Sequence, residues 1–267
     1  MMYLDANQEF KDHKNQKYFQ FYEEIIPYRM GDDHFNKVFF NKKILLLGAS
    51  SNVVKHMNEC MIDFKDYDII VKCNHHWADF PAKWSRTDVV YHGLKNIPGK
   101  EGKHFRKFVS KKKEAWLQGD KGLEELLLIC PNRKTQMGKI NWLSKNSIYH
   151  AHINPQHWFY IAKAMRALPL MGVIALLHCS MFKPKLIHCF GMDFYQSGYY
   201  SGRKNAVTRS CSEPPIKKGR SNHGKKHKLN HQFAWFFDLL LTGKGFDHVT
   251  MIRNQEDVSE FLEKYKS

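Results

Sequence analysis

The stretch KKILLLGASSNVV, Lys42 to Val54, decides the fold. An apolar run, Ile44 to Leu47, meets a turn of small residues, Gly48-Ala49-Ser50-Ser51, and a helix is expected from Asn52. Strand, tight turn and helix in that order are how open α/β sheets present backbone N–H groups to a phosphate or nucleotide. Alone, the turn is weak evidence, because a plain strand-to-helix connection accounts for it as well. The GxGxxG spacing of dinucleotide folds and the lysine of a P-loop are both absent, which argues against NAD and ATP.

Working outward, further apolar runs read as strands at Asp68 to Cys73 (DIIVKC), Asp88 to His92 (DVVYH) and Leu126 to Cys130 (LLLIC). Leu186 to Phe190 (LIHCF) and His248 to Ile252 complete the set. Helices are expected across 155–182, broken near Leu168-Pro169, then from Asn230 to Leu241 and from about Asp257. Strands that are near-continuous apolar runs, alternating with helices, predict an α/β fold built on one doubly wound, mostly parallel sheet. Residues 1–40 form a helical extension in this reading, with Phe19, Tyr22 and Ile26 on one face, and 41–267 form the domain. The polar stretch from about 195 to 226 has no apolar period and is expected to be a flexible lid.

Composition narrows the class. The 267 residues suffice for one sizeable core, and 43% hydrophobic content with 14% aromatics argues against general disorder. No stretch reaches the roughly 18 uninterrupted apolar residues of a membrane helix. The polar start, MMYLDANQEFKDHKNQK, lacks the apolar core of a secretory signal, so a soluble cytoplasmic protein is expected. Six cysteines lie far apart with no CxxC pair, which predicts neither a cysteine zinc site nor disulfides. Cys73, Cys130 and Cys189, at or near strand ends, are expected to be small buried thiols. The formal charge of +16 calls for an anionic partner. It is concentrated: Lys103 to Lys113 has six Lys/Arg and no acid, and Arg203 to Lys228 has nine against one acid, Glu213. The first run reads as a solvated loop; the second adjoins the best motifs in the chain.

Four segments taken in order carry a family resemblance. The first runs from Lys43 to Gly93 and holds GASSN, then IDFKDYDIIVKCNHHW, then SRTDVVYHG. It resembles the large sialyltransferase motif, in which a strand ends in Arg/Lys-x-Asn and a Ser-Arg-Thr-Asp follows. PLMGVIALLHC resembles the start of the small sialyl motif, and LIHCFGMDFYQSGYY the strand-Gly-x-Asp-Phe-Tyr-Gln segment of bacterial sialyltransferases. His227-Lys228-Leu229-Asn230 resembles the His-x-x-Asn that opens a helix in that bacterial group. Together the segments cover roughly 43–93 and 169–241.

The resemblance implies a GT-A-like sialyltransferase fold and a role for each matched position. Gly48, Ser50, Ser51 and Asn52 would approach the nucleotide phosphate and ribose, and Asn74 and His92 would bind the nucleotide. Gly172 would admit the ribose, and Gly191, Asp193 and Phe194 would lie along the cytosine. Tyr195 and Tyr200 would donate hydrogen bonds to the departing phosphate, with Arg203 and Lys204 as nearby cations and His227 as general base. Read as residues alone, Tyr195 fits a packed aromatic beside Phe194, and Tyr199 competes with Tyr200. Asp193 fits a turn cap, and His227 fits a solvated tract with His223 and His231. This chain departs from the family at Ala49, where an asparagine is usual, and at Leu168, where an arginine is expected. Leu170 and Met171 stand where the family has hydroxyls.

The implied activity is inverting, metal-independent transfer of sialic acid from CMP-sialic acid to a glycan hydroxyl, with no cofactor. Asp66-Tyr67-Asp68, the Asp-x-Asp spacing that binds metal in other transferases, opens a strand and reads as a strand-entry turn. The expected partners are a CMP-sugar donor and a glycan or glycolipid acceptor such as a lipooligosaccharide, with peripheral contact at the inner face of an anionic membrane. Other CMP-sugars (a further nonulosonic acid or Kdo) and an inactive glycan- or nucleotide-binding descendant remain alternatives. A basic nucleic-acid-binding protein ranks below them, since no binding module is recognisable.

Overall fold

A computed structural model describes residues 32–48, 50, 52–73, 81–84, 86–93, 127–130, 150–154, 157–158, 161, 169–192, 232 and 249–251. In chain order the described elements are α1 (Asp32–Phe39), β1 (Lys43–Leu47), α2 (Val53–Glu59), β2 (Ile69–Cys73), β3 (Val89–Tyr91) and β4 (Leu127–Cys130). After them come β5 (His150–His152), α3 (Met171–Ser180), β6 (Leu186–Phe190) and β7 (Val249–Met251). Short 3-10 turns at Phe64–Asp66 and Ala82–Trp84 lead into β2 and β3.

The strands form one sheet in the order β5-β4-β3-β2-β1-β6-β7. Every pairing among them is parallel. The chain starts in the middle, winds outward from β1 to β5, then crosses back to lay β6 and β7 on the other side of β1. This is the doubly wound sheet expected from the apolar runs. The strand missing from the sequence reading is β5. Its three residues, His-Ala-His, carry no apolar run, and pairing with β4 (Ile129 opposite Ala151) makes the strand.

Period-two alternation sends successive side chains to opposite faces. One face presents Ile44, Leu46, Val71, Cys73, Val89, Tyr91, Ile187 and Cys189 to a core shared with α3 and α1. Helix α3 lies across β1, β2 and β3. It is apolar on all sides, Val173 to Cys179 are buried, and a helix with that pattern belongs in an interior. Phe35 and Phe39 of α1 are fully buried in the same core, their rings 5.6 and 6.0 Å from that of Phe182. Each fully buried Leu, Ile or Phe contributes roughly 1.5–3 kcal/mol against the entropy of ordering the chain. The other face, with Leu45, Leu47, Ile70 and Val90 buried, receives Val53 and Met57 of α2 and Phe64.

The amino ends of the strands are clamped by side chains. Asp68 accepts a hydrogen bond from Lys43 N at 2.8 Å, and Asp88 accepts one from Ile70 N at 2.7 Å. Arg86 donates to the carbonyls of Phe64, Tyr67 and Asp68 at 3.0, 3.2 and 2.8 Å. Asp68, the second acid of the Asp66–Asp68 pair, is therefore a strand-entry residue at the end of the sheet away from Gly48.

Candidate functional site

In a doubly wound sheet, ligands enter the crevice outside the carboxyl ends of the strands, where the winding reverses. Here that point lies between β1 and β6, and Leu47 at the end of β1 pairs with Phe190 at the end of β6. Gly48 N donates to Phe190 O at 2.8 Å, and Ser50 N to Gly191 O at 3.2 Å, so the two turns leave the sheet joined. Gly191 has φ +67°, a left-handed conformation that favours glycine.

Contact explains the glycines. A Cβ on Gly48 would collide with the Gly191 carbonyl oxygen and lie 2.7 Å from its carbon. A Cβ on Gly191 would stand 2.8 Å from Val53 Cγ2, and one on Gly172 2.8 Å from Met192 Cε. Gly172 is the second residue of α3, so the amino end of that helix reaches the same crevice. Its cap residue, Leu170, makes no side-chain cap hydrogen bond to the first-turn N–H groups, and a helix end of this kind suits an anion or water. The Leu170 backbone N–H itself donates to Gln232 Oε1 at 2.9 Å.

Of the expected site residues, the structure brings Gly48, Ser50, Gly172 and Gly191 together at this crevice. Asn52, exposed, stands just before α2, and its side chain makes no cap hydrogen bond. His92, buried, follows β3, and its N–H continues the ladder to Ile129 O at 2.9 Å. Cys73 ends β2 beside β1; Asn74, which follows it, lies outside the described residues. So do Ser51, Asp193, Phe194, Tyr195, Tyr200 and His227, together with the expected lid and both basic runs.

Sequence reasoning assigned no role to three residues that the structure singles out. Lys72 of β2 is fully buried beside Leu47, and its ammonium donates to Trp84 O at 2.8 Å and lies 5.6 Å from the Phe64 ring centre. A lysine inside the run IIVKC was the available signal. Gln232, fully buried, is likewise a polar residue in an apolar stretch. Met192 carried no signal, because its importance lies in the glycines around it. Among the described residues no group of three metal-ligating side chains forms.

Behind α3 the core holds a polar cluster. The Tyr91 hydroxyl lies 2.7 Å from His178 Nδ1 and 3.4 Å from Cys179 Sγ, with all three residues fully buried. Burial, then the neighbouring His157, holds the His178 imidazole well below its usual range. Burial pushes the Cys179 thiol up to about 12, so it is an inert small apolar group.

No protein-family model and no curated protein sequence matches the chain. Solved structures do. A mammalian sialyltransferase in complex with Gal-beta-1-3GalNAc-ortho-nitrophenol superposes with a TM-score of 0.52 at 9% identity, covering 94% of this chain and 84% of that one. The sialyltransferase CstII from Campylobacter jejuni, in complex with the substrate analogue CMP-3FNeuAc, gives 0.50 at 14% identity over 79% and 81%. The chain has the fold of the sialyltransferases, a GT-A-like α/β architecture.

Proposed function

We propose that this chain is an inverting glycosyltransferase that moves sialic acid from CMP-sialic acid to a glycan hydroxyl without a metal. The observation that carries the reading is the convergence of Gly48, Gly172 and Gly191 with the uncapped end of α3 at the switch point. A structure of the same fold was solved with CMP-3FNeuAc.

The chemistry is a single displacement. The acceptor oxygen attacks the anomeric carbon as the bond to the CMP phosphate breaks, and the hydroxyl proton passes to His227. Tyr195 and Tyr200, with Arg203 and Lys204, stabilise the charge that grows on the leaving phosphate. One displacement with no enzyme nucleophile inverts the anomeric centre. The two basic runs hold the protein at an anionic membrane face where a glycolipid acceptor is displayed, each Lys or Arg there contributing about 1 kcal/mol before screening.

A second reading, an inactive relative that binds nucleotide or glycan, is favoured by Leu170 and Met171, which stand at the α3 entrance without hydroxyls. Thermal shift with CMP, UMP, AMP and GMP tests both, followed by hydrolysis of CMP-sialic acid and CMP-Kdo with and without EDTA. Stabilisation by CMP together with EDTA-resistant turnover supports the transferase. CMP binding without turnover supports the inactive relative. Indifference to all four nucleotides sinks both.

A further inference from the structure

Met192 follows the left-handed Gly191 at the carboxyl end of β6. Its side chain reaches both walls of the crevice. A Cβ on Gly48 would come within 3.2 Å of Met192 Cγ, and one on Gly172 within 2.8 Å of Cε and 3.4 Å of Sδ. Gly48 begins the turn after β1, and Gly172 lies in the first turn of α3, so a single thioether chain spans the gap between them. One flank of Met192 packs on the core, and the residue is only half-buried. Met192 and the Gly191 backbone thus line the crevice between the two glycines.

We infer that Met192 is the floor of the crevice and sets how large a nucleotide it admits, a specificity-determining role resting on the donor reading above. Two physical features support it. A methionine chain has three rotatable bonds and a polarisable sulfur, so it fills an irregular gap and offers a planar ring contact without a hydrogen bond. Its neighbours at the entrance, Leu170 and Met171, also lack hydrogen-bonding groups, and a Cβ on Gly93 would lie 3.3 Å from Met171 Cε. Selection at this wall is therefore by width and contact, and shortening the Met192 side chain deepens the crevice between Gly48 and Gly172.

The test compares the full chain with Met192→Ala and Met192→Leu by calorimetry. The probes are CMP, 5-bromo-CMP (enlarged on the base) and 2′-O-methyl-CMP (enlarged on the ribose). Leucine keeps most of the bulk but ends one atom sooner, so that variant keeps the test available if the alanine fails to fold. CMP should bind Met192→Ala about tenfold more weakly, the scale for lost apolar contact in a pocket. One enlarged ligand should gain about tenfold relative to CMP, with the same trend, smaller, in Met192→Leu. Unchanged ligand ratios in the variants that fold overturn the inference while leaving the donor site standing. Failure of the parent to bind CMP overturns both.

Discussion

Arg86 and Asp88 form an ion pair at 3.0 Å, at the end of the sheet opposite Gly48. The same guanidinium gathers the carbonyls of Phe64, Tyr67 and Asp68, while Asp88 holds Ile70 N. Arg86 and Asp88 of the Ser-Arg-Thr-Asp segment, part of the family resemblance, therefore clamp the entry of β2 and β3 and stand away from the crevice. Arg86→Lys keeps the charge but loses the fork. It should lower unfolding free energy by about 2 kcal/mol in urea melts and leave CMP affinity within about twofold. A large affinity loss at unchanged stability would contradict this assignment.

The sheet was legible because its central strands are short runs such as ILLL and IIV, bounded by turn residues and rich in branched side chains, the pattern of a strand buried on both faces. The strand β5 was not, since His150-Ala151-His152 has no period of its own and depends on Ile129 beside it. At the crevice, Gly48 and Gly191 could be read as turns that follow strands, and their place in a site only through the family resemblance. Met192 and Gln232 could not, because a methionine after Gly191 and a glutamine in an apolar stretch gain meaning only from partners distant in sequence. Gln232 meets its partner Leu170 across 62 residues.

Acid should destabilise the fold through its buried imidazoles. His178 is held well below the usual range by burial and His157, and burial with His150 lowers His152 to about 3. Unfolded, both would take up a proton near pH 6.5; folded, they do not. Stability is thus fully present above that pH and falls as pH drops through it, for His152 down to about pH 3. The slope should approach about 1.4 kcal/mol per pH unit for each histidine. Urea midpoints at pH 7.5, 6.5 and 5.5 measure it, and His178→Gln should flatten the curve. Equal midpoints across that range contradict the account.

The crevice glycines should differ in tolerance. At Gly48 a methyl meets the Gly191 backbone, which cannot swing aside, and at Gly191 it meets Val53 with φ already at +67°. At Gly172 it meets the far end of Met192, which can rotate away. Gly48→Ala and Gly191→Ala should each cost about 2–4 kcal/mol and abolish CMP binding, whereas Gly172→Ala should cost about 1 kcal/mol or less. Denaturant melts give the ranking. If Gly172→Ala is the worst of the three, rigid contact is not what excludes side chains here.

The last prediction concerns His227. Its segment enters the described structure at Gln232, whose carboxamide oxygen accepts from Leu170 N at the head of α3. Gln232 follows His227 by five positions in the chain. As the general base, His227→Ala should lower turnover by about 10²–10⁴-fold, the range for a positioned acid–base group. CMP affinity should hardly change, since the base acts on the acceptor hydroxyl. The parent pH–rate profile should rise through the imidazole range, because only neutral histidine accepts the proton. Gln232→Ala should instead weaken CMP binding, because it frees the Leu170 end of α3. His223→Ala and His231→Ala serve as controls. Loss of turnover in His223→Ala alongside near-normal His227→Ala would move the base to the other histidine and end this assignment.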